Sequence, residues 1–178
     1  DGTAVELSDV EMGIGGFVIN GAAEDDRSGA SVSSAGDVNG DGLDDLIVGA
    51  LGDGPNGEYS GASFVVFGKK GGTPVQLSDI ETGSGGFVIK GVAERDYSGA
   101  SVSSAGDVNG DGLDDLIVGA PYADPNGEYS GASFVVFGKT DGTAVDLSAV
   151  EAGTGGFVIN GRAEFGKSGM SVSSAGDV

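Results

Sequence analysis

Oxygen-bearing side chains fall at alternate positions in Asp37-Val38-Asn39-Gly40-Asp41-Gly42-Leu43-Asp44-Asp45, and the same nine residues return as 107 to 115. The spacing Asp-x-Asn-x-Asp-Gly-x-x-Asp suits a hard cation that takes about six to eight oxygen ligands, calcium above all. Asp37, Asp41, Asp44 and Asp45 lie within nine residues. Carboxylates that close repel one another unless a cation sits among them. A third copy begins at Gly176-Asp177-Val178 and offers only Asp177.

Other readings of the loop are weaker. An EF-hand needs Glu at position twelve and flanking helices. Counting Asp37 as one, position twelve is Val48, inside an apolar strand-like run. An acidic turn held only by side chain–backbone bonds is the bland alternative. Four oxygen donors in register, twice, favour the metal. Gly13-Ile14-Gly15-Gly16 and Gly83-Ser84-Gly85-Gly86 lack a third glycine and precede strands, so they read as turns rather than dinucleotide loops.

The loops belong to a longer repeat. Residues 1–70 and 71–140 align without gaps and differ at 15 positions, and 141–178 begins a third copy. A period of several tens of residues points to a solenoid, propeller or array. Four strand candidates recur in each period. They are 31–35 before the acidic loop, 46–50 after it, 62–68, and 86–90 with a counterpart at 16–20. Pro55-Asn56-Gly57, Asn20-Gly21 and the acidic loop supply the turns between them. Residues 77–81 suit a single helical turn, and 37 glycines argue against longer helices.

In Phe64-Val65-Val66-Phe67 both faces of the strand are apolar. A sheet wetted on one side would alternate; a sheet between two other sheets would not. The first strand is built mainly of small residues, Ser and Ala, as needed where several sheets crowd together. Short four-stranded sheets packed face to face are the blades of a β-propeller.

Residues 101–121, Ser-Val-Ser-Ser-Ala-Gly-Asp-Val-Asn-Gly-Asp-Gly-Leu-Asp-Asp-Leu-Ile-Val-Gly-Ala-Pro, resemble the FG-GAP repeat. That repeat builds the propeller of integrin α subunits and occurs in large bacterial surface or secreted proteins. Two departures are minor: Phe-Gly is replaced by Ser28-Gly29, Ser98-Gly99 and Ser168-Gly169, and Gly-Ala-Pro reads Gly49-Ala50-Leu51 in the first copy. The resemblance implies an all-β fold of four-stranded antiparallel blades in an incomplete propeller. It divides the chain into the end of a preceding blade (1–27), two blades (28–97 and 98–167) and the first strand of another (168–178).

The resemblance also implies one calcium ion per complete loop, two in all. The ligands would be the side chains of Asp37, Asn39, Asp41 and Asp45 with the carbonyl of Leu43, and Asp107, Asn109, Asp111 and Asp115 with the carbonyl of Leu113. Affinities on the order of 10⁻⁴ to 10⁻³ M are expected, as in extracellular modules. Gly42 and Gly112 can take positive φ where the loop bends back. Asp44 and Asp114 fall off the alternation and are expected to face solvent.

Composition narrows the function. With 28 acidic and 8 basic residues the formal charge is −20, unsuited to a nucleic-acid surface. Cysteine, histidine and tryptophan are absent, so disulfides, the usual zinc ligands, Ser-His-Asp triads and Cys-His pairs are excluded. No run is long or apolar enough for a membrane span. Tyr59, Tyr97 and Tyr129 on loops suit cover for blade edges more than a glycan or partner site. Arg27, Arg95 and Arg162 vary in position and suggest no shared anion site. No enzyme is expected. The first expectation is an extracellular or cell-surface adhesion scaffold that meets a protein or glycan ligand and neighbouring repeats. The alternative is a carbohydrate-binding or enzyme-associated module of a larger secreted hydrolase; Asp pairs of a glycosidase kind are better explained as calcium ligands.

Overall fold

A computed structural model describes residues 4–176. Asp177, the start of the third acidic loop, lies outside the described residues. In chain order the elements are α1 (Leu7–Glu11), β1 (Ile19–Asn20), β2 (Ser28–Gly36), β3 (Asp45–Ala50), β4 (Ala62–Val66), β5 (Val75–Gln76), α2 (Leu77–Ile80), β6 (Gly86–Lys90), β7 (Ser101–Gly106), β8 (Asp115–Ala120), β9 (Ala132–Val136), β10 (Val145–Asp146), α3 (Leu147–Glu151) and β11 (Gly156–Asn160).

Two antiparallel meanders dominate. β2, β3, β4 and β6 form the first, and β7, β8, β9 and β11 the second, each in sequential order. Registers repeat residue for residue: Phe64 is paired with Val48 on one side and Val88 on the other, and Phe134 with Val118 and Val158. These are two successive propeller blades of four antiparallel strands.

The repeats are also stitched in a way the sequence pattern hides. β10 pairs in parallel with β6, setting Val145 beside Ile89, and β5 pairs in parallel with β1, setting Val75 beside Ile19. The starts of the second and third periods thus lie along the outer strand of the preceding blade and shield its edge. A two-residue ladder is too short to leave a periodic signal, which is why four strands per period were expected. The helical turn that follows buries Leu77 and Ile80 in one copy and Leu147 and Val150 in the next.

Apolar layers lie between sheets, as the doubly apolar strands require. Ile47, Val65, Phe87 and Ile89 of the first blade pack against Leu116, Val118, Phe134 and Val136 of the second, with Leu147 and Val150 closing the layer. The opposite face of the first blade packs Val48, Phe64, Val66 and Val88 against Leu77 and Ile80, with Ile19 and Val75 at the margin. The outward face of the second blade carries Phe157 and Ile159, both exposed.

One expectation fails. Residues 171–176, the counterpart of β2 and β7, form no strand. β2 and β7 are held by hairpin ladders to β3 and β8. Among the described residues nothing plays that part for 171–176, and an unpaired strand leaves its backbone groups to solvent.

Candidate metal centre

The acidic loop is the hairpin between the first and second strands of each blade. The first strand ends in a bulge between Ser34 and Gly36, which swings Asp37 into the loop. Gly42 and Gly112 take φ of 84° and 91°, as the bend requires. Within the loop, carboxylates and amide oxygens accept from the loop's own N–H groups. Asp37 Oδ1 accepts from Gly40 at 2.8 Å and Asp41 at 3.1 Å, and its Oδ2 accepts from Gly42 at 2.9 Å. Asn39 Oδ1 accepts from Asp41 N–H and Asp41 Oδ1 from Leu43 N–H, both at 2.8 Å. Asn39 Nδ2 donates to Asp41 Oδ2 at 3.2 Å.

The second loop repeats the bonds from backbone N–H groups to within about a tenth of an ångström: Asp107 accepts from Gly110 at 2.8 Å, Asp111 at 3.1 Å and Gly112 at 3.0 Å. Asn109 Oδ1 accepts from Asp111 N–H at 2.8 Å and Asp111 Oδ1 from Leu113 N–H at 2.9 Å. Side chain–backbone bonds of this kind are what the metal-free alternative foresaw. In the described residues no group of three or more acidic, His or Cys side chains is drawn together as a metal cluster.

Asp45 and Asp115 do something the spacing did not reveal. Both are fully buried. Asp45 Oδ2 accepts from Val38 N–H at 3.0 Å and Oδ1 from Gly68 N–H at 2.6 Å. Asp115 accepts from Val108 at 2.9 Å, Asn109 at 3.2 Å and Gly138 at 2.8 Å. Each therefore ties its loop to the end of the third strand. Burial pushes the Asp45 carboxyl up to about 6, against the pull of the Gly68 and Val38 bonds, and the Asp41 and Asp37 charges push the same way. Burial raises Asp115 likewise.

The donor set fits a hard divalent cation. Three carboxylates, one amide oxygen and one carbonyl are oxygen ligands throughout. Among the described residues, the ion pairs involve only Arg95 and Lys139, and neither reaches a loop carboxylate. A buried carboxylate flanked by further acids and bonded to neutral amides is a setting that a bound cation would stabilise.

Asp44 is exposed, as expected, but Asp114 is half-buried. Its Oδ2 accepts the Asp37 N–H at 2.8 Å. The expectation that Asp114 faces solvent is therefore corrected. Spacing inside one loop cannot disclose an acceptor supplied by the next repeat.

At the other end of the blades the tyrosines form a chain. Ring centroids are 5.5 Å apart for Tyr59 and Tyr97, 5.2 Å for Tyr97 and Tyr122, 5.4 Å for Tyr122 and Tyr129, and 6.0 Å for Tyr129 and Phe165. Tyr97, Tyr122 and Tyr129 line a cavity of about 490 Å³ with Arg27 and Arg95. The tyrosines do cover the junction between blades, and they also put both arginines at one opening. Tyr122 and this meeting of arginines were invisible to the period, because Arg27 and Arg95 occupy different positions in it.

Asp96 in the same region gives a pH prediction. Its Oδ2 accepts from Ala93 N–H at 3.1 Å. Burial pushes it up from 3.8 to about 6, the Ala93 bond opposes, and Asp124 and Glu151 add to the rise. The folded state then binds the proton more tightly, so this group weakens the fold as pH rises from near 4 through 6. Asp96→Asn is expected to raise the melting temperature at about pH 8, with the gain shrinking to nothing by about pH 4. Paired thermal melts across that range check it; a pH-independent difference contradicts it.

Two stacked four-stranded blades, each with an acidic loop on its first hairpin, define a class: propeller repeats. The FG-GAP repeat model matches residues 28–66 and 98–136, and the chain belongs to that family. Integrin alpha-PS2 of Drosophila melanogaster is 34% identical over 75% of this chain and 9% of its own length. Integrin alpha pat-2 of Caenorhabditis briggsae is 31% identical over 75% of this chain and 12% of its own length. Phosphatidylinositol-glycan-specific phospholipase D of Rattus norvegicus is 33% identical over 62% of this chain and 13% of its own length. The chain thus spans about a tenth of the length of these curated relatives. These are FG-GAP repeats of the integrin alpha type, and no helix in the described residues is long and apolar enough to cross a membrane.

Proposed function

We propose that this chain is a calcium-binding part of an extracellular or cell-surface adhesion scaffold, non-enzymatic in itself. Its units are two blades, 28–97 and 98–167, with 1–27 belonging to a preceding blade and 168–178 to a following one. The observation that carries the metal is the repetition of one donor set, with one hydrogen-bond pattern, on equivalent hairpins. Asp37, Asn39, Asp41, Asp45 and the Leu43 carbonyl would hold one calcium ion; Asp107, Asn109, Asp111, Asp115 and the Leu113 carbonyl would hold a second. When bound, the ion supplies charge neutralisation and a cross-link between the two strands of the hairpin. The chain's own part is to place the acids. Asp45 and Asp115 anchor the loop to the third strand, and Asp37 and Asp107 hold the turn closed through three amides each.

Isothermal titration tests the proposal. Two ions per chain are expected; no heat and no thermal shift with calcium overturn it. The ligand is a protein or glycan met at the exposed loops, with further repeats as neighbours. A second reading, a module of a larger secreted hydrolase, is favoured by the similarity to the rat phospholipase D. A catalytic domain in the parent reading frame supports the second reading, and its absence there the first.

A further inference from the structure

The two acidic loops share sequence and internal hydrogen bonds but not neighbours. Asp37 N–H donates to Asp114 Oδ2 at 2.8 Å, and Asp114 N–H donates back to the Asp37 carbonyl at 3.1 Å. One residue on, Lys139 N–H donates to the Val38 carbonyl at 2.8 Å. Three backbone groups of the first loop are thus tied to the second repeat. Val38 is consequently 0% exposed, while Val108, its equivalent, is 51% exposed. Gly36 and Gly106 have the same left-handed backbone, with φ of 75° and 73°. A Cβ on Gly36 would overlap the Asp114 carboxylate and come within 2.7 Å of its Cβ, whereas a Cβ on Gly106 would meet nothing within 4 Å. Asp44, which holds Asp114's position in the first repeat, is exposed.

We propose that Asp114 is an inter-repeat latch, a positioning residue that braces the metal loop of the preceding repeat from outside. The Asp114–Asp115 pair then divides its labour: Asp115 anchors its own loop, and Asp114 anchors the loop before it. Gly106, the Asp107 N–H and exposed Val108 form the matching receptor, shaped for the Asp-Asp pair of a further repeat of this same type. The latch stands on the geometry alone. A consequence rests on the calcium reading: two loops with one donor set bind calcium unequally, the braced loop at 37–45 more tightly.

Amide exchange followed by NMR on the intact, calcium-free chain tests the latch. A hydrogen bond to a charged acceptor slows exchange roughly ten- to a hundredfold, so Asp37 should exchange that much more slowly than Asp107. Asp114→Ala should abolish the difference, Asp114→Asn, which keeps an acceptor oxygen, should retain most of it, and Asp44→Ala should leave it unchanged. Equal exchange at Asp37 and Asp107 overturns the latch, as does slow exchange at Asp37 that survives Asp114→Ala. If Asp114→Ala does not fold, Gly36→Ala and Gly106→Ala decide. Backbone strain is shared, so Gly36→Ala should lower the melting temperature more, and equal losses overturn the proposal. With calcium, Asp114→Ala should weaken one of two binding steps about tenfold and spare the other. A chain that takes no calcium overturns the metal reading and the unequal affinities, while slow exchange at Asp37 still upholds the latch.

Discussion

At a free calcium concentration about one hundred times the dissociation constant, the chain is expected to gain about 2.7 kcal/mol of unfolding free energy per occupied loop, since an ion that binds only the folded state adds RT ln(1 + [L]/Kd). Two loops make this one of the largest effects open to experiment. Asp41→Ala should remove the share of its own loop and change the calcium-free protein little. Asp41 is exposed, and its carboxylate serves only Leu43 N–H and Asn39 Nδ2. Removing one of several clustered negative charges offsets the lost bonds. Denaturant melts of both proteins with calcium and with a chelator measure the difference. An equal loss in both conditions would mean that Asp41 supports the fold itself.

Phe87→Ala and Phe157→Ala should differ severalfold in cost, although the two residues hold the same place in equivalent Gly-Phe-Val-Ile strands, β6 and β11. Phe87 is 0% exposed in the layer between the blades. Phe67 meets it edge-on at 6.0 Å, and the Lys139 ammonium lies 4.9 Å from its ring centre. Truncating a buried phenylalanine costs about 3–5 kcal/mol, from lost transfer energy and from the cavity left behind. Phe157 is 40% exposed on the outward face of the second blade, beside Phe137 at 6.3 Å. Its truncation leaves no closed cavity and should cost roughly 1 kcal/mol or less. Equal costs would mean that another surface covers Phe157 in solution, as self-association through that face would bring about. Light scattering on the same samples separates the two cases.

These pairs mark how far the residues alone carry the reading. Local spacing marked the acidic loop as a candidate cation site, because a hard cation takes oxygens from alternate positions of one short loop, and Asp37 to Asp45 write that pattern without help from the rest of the chain. Period and composition determined the strands and their stacking, because doubly apolar runs such as Phe64 to Phe67 are stable only between two sheets. The helical turns at 77–80 and 147–151 were legible for the same local reason. What identical residues do differently in successive copies came from tertiary structure. Asp44 and Asp114, Val38 and Val108, and Phe87 and Phe157 are identical in type and local context, yet differ in burial and partners. The parallel strands β5 and β10, the buried anchoring by Asp45 and Asp115, and the gathering of Arg27 and Arg95 beside the tyrosines also arise only when one repeat is laid on another. Periodicity reports what a repeat shares with its neighbours; what each copy touches depends on which side of it a neighbouring blade lies.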